Sequence, residues 1–360
     1  VKKKKKNQDL ITWSKLTQLI VTIAIHNAIF KGFIDMSCIT NDVNIVVDRL
    51  SMGDIAAIPT ETVYGLAADA FSDSAIKKVF STKKRPIDHP LIMHIAPQWD
   101  LTQWVSHIPD YAYALMESFW PGPLTLILPI QPGAINPLIT GGQKNIAIRA
   151  PNHAVAQELL SKFGKPLVAP SANPFGKISP TTAHHVQHGF PTDDFLILEG
   201  GRCSVGVEST IVSGLEPFTF EIARPGIIDE VKIAAATSLN RLSYTKKVRV
   251  PGGLSSHYQP EKKLYYVDDI KQASPWLDKA KASPYVLTFS QNYQGPCLSL
   301  YEFPDRSEDA AYELYYRLRI ADESNADFIL IELPPKGQEW FVILERILKA
   351  GKPMRLFGKS

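Results

Sequence analysis

An α/β protein of two domains is the expectation from the sequence, and three observations carry it. From about residue 41, short apolar runs alternate with amphipathic stretches, the pattern of strands interleaved with helices. The 360 residues exceed what one hydrophobic core usually organises. After residue 262, four more strand-like runs alternate with two helical ones, as in a small doubly wound domain.

The elements follow in order. NIVVDRLSMG reads as a helix with Ile45, Val46, Leu50 and Met52 near one face and Gly53 as its stop. IAAIPT is a buried strand closed by Pro59, and SDSAIKKVFSTK is a helix capped by Asp73 or Ser74. LIMHIA is a strand, YAYALMESFW a helix, and LTLILPI a strand entered through Gly122 and Pro123. NIAIRAP is a strand, HAVAQELLSKFG a helix ending at Gly164, and PLVAPSAN a strand running into a turn. TTAHHVQHGF is a short helix, and STIVSG and FTFEIARPG are late strands. Residues 232–262 lose the long apolar period and contain a Pro-Gly-Gly turn, so they read as a linker. KLYYVDD, PYVLTFS, CLSLYEF and DFILIEL are strands of the second domain; EDAAYELYYRLRIADE and EWFVILERILKAG are its helices.

Apolar content of 45% and charged content of 21% are ordinary for a globular chain. The net charge of +3 rests on Lys2–Lys6: removing those five from 39 basic residues leaves 34 against 36 acidic ones. Bulk charge therefore gives no nucleic-acid footprint. Cys38, Cys203 and Cys297 are scattered, with no CxxC or Cys/His ligand spacing. That argues against a disulfide framework or structural zinc and for a reducing, cytoplasmic setting. The run LTQLIVTIAI after the lysines is interrupted by polar residues and too short to span a bilayer. Residues 1–35 read as an upstream extension, with Met36 as the expected start.

Neither GxxxxGK[ST] nor a GxGxxG between strand and helix is present, so a bound nucleotide needs another cradle. KKRP offers one: Lys83 and Arg85 are two apart, and in an extended segment they project to the same side. Pro86 and Pro90 would stiffen that loop. On the pair alone, a solvated basic loop is the favoured reading. Ser171 and Asn173 follow the buried run PLVAP, placing a hydroxyl and an amide where α/β sheets bind ligands; a capped turn would use the same residues. Ser209, Thr210 and Arg224 stand near strand ends. His184 and His188 are four apart on a helix, but without a third ligand they read as surface residues. Arg149 inside NIAIRAP is expensive to bury unless it meets a carboxylate or a phosphate.

PTETVYGL, KKRPIDHPLIMHI, FWPGPLTLIL, IAIRAP, PLVAPSAN, SVGVESTIV and ARPG, in that order, resemble the Sua5/YrdC family of threonylcarbamoyl-AMP synthases, in its longer Sua5 form. The resemblance implies a twisted open-sheet catalytic domain with a positively lined cavity over residues 40–231 and a linker or lid over 232–262. A smaller Rossmann-like C-terminal domain over 263–360 would follow. It implies formation of L-threonylcarbamoyl-adenylate and pyrophosphate from L-threonine, bicarbonate (or CO2) and ATP, the first step toward threonylcarbamoyladenosine at position 37 of tRNAs reading codons that begin with A. Carried over residue by residue, Lys83 and Arg85 become the catalytic cations. ATP would meet these two, Tyr64, Ser171, Asn173, Ser209 and Arg224, with His257 and Tyr258 of VPGGLSSHYQP closing over it. Ser255 and Ser256 depart from the basic or aromatic residues usual there. Threonine would meet Thr60, Thr62, His89, Thr140, Gly141, Arg149 and Ser171. Mg2+ would arrive with ATP, with no resident protein-bound metal. Expected partners are the downstream tRNA threonylcarbamoyl transferase machinery and, weakly, RNA; no membrane is implied.

Two rivals remain at this point. A basic cavity would also suit an RNA backbone, although interleaved basic and aromatic runs are missing. Carbamoyl transfer in hydrogenase maturation uses a related domain, but accompanying paired CxxC motifs are absent here.

Overall fold

Among the described residues, Asp42 opens the first helix, α1 (Val43–Ser51), by accepting a hydrogen bond from the Asn44 amide. Val43, Val46 and Leu50 recur at helical spacing and bury against Leu159, Leu160 and Phe163 of α5 (Ala154–Phe163). Ile45 and Met52, expected on that face, are 44% and 80% exposed; one is turned off the apolar stripe and the other lies past the helix end. The computed structural model describes residues 38–214, 219–237, 240–241, 249–252 and 257–354. The N-terminal extension, Met36, Ser255 and Ser256 lie outside them.

Eleven strands form the larger sheet among the described residues. They are β1 (Ile39–Thr40), β2 (Ala56–Ile58), β3 (Gly65–Asp69), β4 (Ile92–His94), β5 (Leu124–Pro129), β6 (Asn145–Arg149), β7 (Leu167–Val168), β8 (Leu196–Leu198), β9 (Thr210–Ser213), β10 (Thr219–Arg224) and β11 (Asn240–Arg241). Their order is β1-β8-β2-β3-β7-β4-β6-β5-β9-β10-β11, with parallel and antiparallel neighbours mixed. Strand β3 was missed in the sequence because GLAAD carries no β-branched or aromatic residue. It pairs antiparallel with β2, which makes residues 59–64 the loop that joins two interior strands at one end of the sheet.

Helix α2 (Asp73–Lys83) is capped by Ser72, not by Asp73 or Ser74: Ser72 Oγ accepts from the Ala75 amide. Helices α3 (Asp110–Phe119), α4 (Pro137–Thr140) and α6 (Ala183–Gly189) complete the first layer set. The stretch read as a linker from residue 232 is still partly ordered into this domain. Helix α7 (Glu230–Thr237) buries Ile233 in the main core, and β11 extends the sheet beside β10. An apolar residue once per turn suffices there because α7 leans on α3.

Among the described residues, the second domain holds a parallel five-stranded sheet in the order β14-β13-β15-β12-β16. Its strands are β12 (Leu264–Val267), β13 (Tyr285–Thr288), β14 (Ser299–Glu302), β15 (Ile329–Glu332) and the unforeseen β16 (Lys352–Pro353). Helices α8 (Ser274–Ala280), also unforeseen, α9 (Ser307–Glu323) and α10 (Phe341–Ala350) cover it. Val63, Ile178 and Val207 of the first domain share one apolar cluster with Leu314, Tyr315 and Ile343 of the second, so the domains are packed together. No helix among the described residues is long and apolar enough to cross a membrane.

Candidate active site

A partly open cavity, about 570 Å³ when the solvent at its mouth is included, lies between the larger sheet and the residues that lead to the second domain. The β2–β3 loop contributes Thr60 and Thr62, and the ends of β4 and β6 contribute His94 and Arg149. Ser171 follows β7, Glu208 and Ser209 precede β9, and Arg224 ends β10. Arg85 and the segments around Gly252 and His257–Tyr258 complete the wall.

The loop geometry is set by hydroxyls. Thr60 Oγ1 donates to the Val63 carbonyl at 2.6 Å and contacts Thr62 Oγ1 at 2.9 Å. Arg149 Nη1 donates to Thr62 Oγ1 at 2.7 Å, while its Nη2 lies 2.6 Å from Glu61 Oε2. The arginine foreseen as needing a carboxylate thus has one, and it braces the threonine loop from below. Across the cavity, Arg224 grips Ser209: Nη2 donates to its carbonyl at 2.9 Å and to Oγ at 3.0 Å. Thr125 Oγ1 backs Ser209 Oγ at 2.7 Å.

Lys83 and Arg85 do not share an extended segment. Helix α2 runs through Lys83, Lys84 takes a left-handed conformation (φ 52°), and Arg85 starts the loop with its amide bound to the Phe80 carbonyl. The two side chains therefore part. Lys83 is buried beneath the wall, its ammonium donating to the carbonyls of Ser171 and Asn173. Arg85 faces the cavity, donating to the Pro90 carbonyl at 2.9 Å with its guanidinium 5.7 Å from the Phe175 ring centre. Burial lowers the Lys83 pKa, and Arg85 repels it further. Burial first, then the Arg224 charge, brings Arg85 down to about 10. Like charges gathered at such cost mark a place built for an anion.

Of the residues expected at the site, Thr60, Thr62, Arg85, Arg149, Ser171, Ser209, Arg224, His257 and Tyr258 line the cavity. Lys83 and Asn173 stand behind it. Asn173 Nδ2 is spent on the carbonyls of Pro174 and Lys177, at 2.7 and 3.0 Å. Tyr64 points elsewhere: its hydroxyl donates to the Gly201 carbonyl at 2.9 Å and accepts from the Gly200 amide. Thr140 and Gly141 lie outside the cavity lining: Thr140 Oγ1 donates to the Pro137 carbonyl at 3.3 Å, and Gly141 backs the 86–90 loop. Gly141 has φ +58°, and a Cβ there would fall 2.3 Å from the Asp88 carbonyl oxygen, so only glycine fits. His89 packs edge-on against Phe175, ring centres 5.4 Å apart, and Phe175 in turn meets His257 at 6.1 Å.

His94 and Glu208 were missed. A histidine inside LIMHIA is the one polar break in an apolar run, and that was the available signal. Burial, then the Arg149 charge, pushes the His94 pKa down to about 3. The ring is thus neutral, with Nδ1 donating to the Ile92 carbonyl at 3.2 Å and Nε2 left as an acceptor. Its folded pKa lies below the unfolded value of 6.5. The unfolded chain therefore takes the proton first as pH falls. The stability from this group is complete above pH 6.5 and is lost progressively toward pH 3, with a slope up to about 1.4 kcal/mol per pH unit. The urea midpoint should fall between pH 6.5 and 4.5, and His94→Gln should flatten that fall; an unchanged slope in the variant would refute the assignment.

Comparison with known proteins places this architecture. A family model described as "Telomere recombination", covering Sua5, YciO and YrdC proteins, matches residues 48–226. One described as "Threonylcarbamoyl-AMP synthase, C-terminal domain" matches residues 226–351. The threonylcarbamoyl-AMP synthase of Bacillus subtilis is 35% identical over 340 residues, spanning 89% of this chain and 97% of that protein. The chain belongs to the threonylcarbamoyl-AMP synthase family. The family member from Pyrococcus abyssi is 34% identical, over 86% of this chain and 93% of its own. The crystal structure of P. abyssi Sua5 complexed with L-threonine superposes with a TM-score of 0.78 at 30% identity, covering 88% of this chain and 98% of that one. The large twisted sheet followed by a smaller parallel one is the architecture that the family resemblance implied.

In this family member the segment before the second domain is clamped from both sides. Arg224 Nη1 donates to the Pro251 carbonyl at 3.2 Å, and Lys349 Nζ of α10 donates to the Gly252 carbonyl at 2.7 Å. The His257 amide donates to the Lys349 carbonyl, and the Gln259 amide to the Gly176 carbonyl at 2.8 Å. Tyr258 stacks on Tyr315 of α9, ring centres 5.6 Å apart.

Proposed function

We propose that the protein condenses L-threonine, bicarbonate (or CO2) and ATP into L-threonylcarbamoyl-adenylate and pyrophosphate. One observation carries this reading: in a chain of this family, three guanidiniums (Arg85, Arg149 and Arg224) converge with the hydroxyls of Thr60, Thr62, Ser171 and Ser209 on one cavity. The threonine amine forms a C–N bond to the bicarbonate carbon, water leaves, and a carbamate results. A carbamate oxygen then bonds to the α-phosphorus of ATP as the bond to pyrophosphate breaks. Holding both partners in line supplies about 7–11 kcal/mol of the barrier without a dedicated base. Arg85 and Arg224 answer the charge building on the phosphates. Lys83 acts one layer beneath, by holding the Ser171–Asn173 turn. Neutral His94 and the threonine hydroxyls orient the amino acid, and His89 and Gly141 fix the loop that aims Arg85.

Mg2+ belongs to this reading as the companion of ATP, part of the substrate. The carboxylates nearest the cavity, Glu61 and Glu208, are committed to Arg149 and Arg346, so they do not fit a resident metal and no step is routed through one. The product is a labile mixed anhydride, which calls for a water-poor site and a transferase that consumes it on tRNA. Weak RNA contact is a subsidiary expectation. Unpaired Cys38, Cys203 and Cys297 support a reducing cytoplasm as the setting.

The direct test incubates the purified protein with ATP, labelled bicarbonate and each amino acid in turn. Pyrophosphate release that depends on threonine, with label in the adenylate, is expected; release indifferent to threonine sinks the reading. Changing His257→Ala together with Tyr258→Ala should weaken ATP retention about tenfold, because both rings wall the cavity. Equal ATP affinity by calorimetry would count against an enclosing role.

A further inference from the structure

Glu208 and Arg346 are 138 residues apart in the chain and meet at the cavity wall. Arg346 Nε donates to Glu208 Oε2 at 3.1 Å, and Tyr315 Oη donates to the same oxygen at 2.8 Å. Ser179 Oγ donates to Oε1 at 2.5 Å. Both charged side chains are buried. The rest of the Arg346 fork is also occupied: Nη2 donates to the Pro225 carbonyl at 2.9 Å and Nη1 pairs with Glu345. Its guanidinium carbon lies 4.8 Å from the Tyr258 ring centre. One side chain of α10 therefore touches the residue before Ser209, the residue after Arg224 and the tyrosine of the cavity wall.

Take Arg346 away and Glu208 is a buried carboxylate whose remaining cationic neighbour is Arg224. A buried charge that loses its partner seeks another. Glu208 would then draw Arg224 off Ser209, or stand as a negative charge facing the cavity. The first outcome removes a cation from the triphosphate and the second repels it. Burial pushes the Glu208 carboxyl upward, and Arg346 foremost, with Arg224, holds it down to about 2. The carboxylate is ionised at working pH, and of the two cations that answer it, Arg346 contributes more than Arg224.

We propose that Arg346 is a positioning residue for the triphosphate subsite: it neutralises Glu208 and so leaves the Arg224 charge for the substrate. This rests on the ATP reading above. It gives the second domain a defined part in the reaction, as the source of a counter-charge that the first domain could supply there only by diverting Arg224.

The test measures ATP and threonine affinity by calorimetry for the full chain and three variants. Arg346→Met should weaken ATP binding about tenfold and threonine binding less than about twofold. Adding Glu208→Gln to Arg346→Met should restore ATP affinity to within about threefold of wild type, because the stray charge is gone. Unchanged ATP affinity in Arg346→Met, or a double variant as weak as the single one, overturns the proposal; the second result assigns the effect to packing. Arg346→Lys keeps the charge beside Glu208 while giving up the planar fork, and should stay within about fivefold of wild type even if the Met variant does not fold. A tenfold loss in the Lys variant also overturns the proposal. A wild-type protein that binds ATP but releases no pyrophosphate would sink the proposed reaction and leave this inference intact.

Discussion

Arg85→Ala should lower threonine-dependent pyrophosphate release about 100-fold, the usual effect of removing a preorganised donor from developing charge. Its guanidinium faces the cavity, and Pro90 and Phe175 hold it there. The fold should tolerate the change. Arg85 depresses the Lys83 pKa by like-charge repulsion, so its loss relieves a strain within the protein. Lys83→Ala is expected to fail differently. Its ammonium serves two buried carbonyls, and leaving both unmet costs on the order of 2–6 kcal/mol in all. Activity and thermal stability should fall together in the Lys83 variant; in the Arg85 variant activity should fall far more than stability, since only the Pro90 carbonyl loses its donor, at about 1–3 kcal/mol. An Arg85→Ala protein with unchanged turnover would end the phosphate role; a Lys83→Ala protein as stable as wild type would end the scaffolding role.

Arg149→Met is expected to destabilise the protein by about 3–5 kcal/mol, the usual cost of leaving one buried charge without its partner. Glu61 is buried, and Arg149 Nη2 is the cation facing it at 2.6 Å. Thr62 loses the donor to its hydroxyl in the same stroke, so the threonine loop loosens and threonine affinity should fall as well. Adding Glu61→Gln should recover part of the stability, since a neutral amide is less costly to bury than a carboxylate. Urea unfolding of the single and double variants checks this. A single variant within about 1 kcal/mol of wild type would show that the pair is dispensable.

What the sequence revealed of this molecule depended on range. Strands such as LTLILPI and NIAIRAP, and helices such as HAVAQELLSKFG, are written in local period and turn residues, and they stand where expected. GLAAD and the short β16 carry no such signature and form because a neighbouring strand offers its edge. The site divides the same way. Arg149 was legible as a charge in an apolar strand, although its partner Glu61 was not singled out. Lys83 and Arg85 were legible as a pair, but their divergence depends on the left-handed turn at Lys84, which spacing cannot announce. Glu208 and Arg346 were invisible, because neither is unusual until the two domains meet.

Tyr258 holds φ +62°, in the left-handed region that residues with a β-carbon seldom enter. Opposite it, Gly252 could not be alanine, since a Cβ would lie 2.7 Å from the Tyr258 hydroxyl. The backbone thus stores roughly 1 kcal/mol whenever the tyrosine stands in the wall. The backbone bonds of His257 and Gln259 and the stacking of Tyr258 on Tyr315 outweigh that cost, so the tyrosine stands in the wall because its neighbours on both domains hold it there.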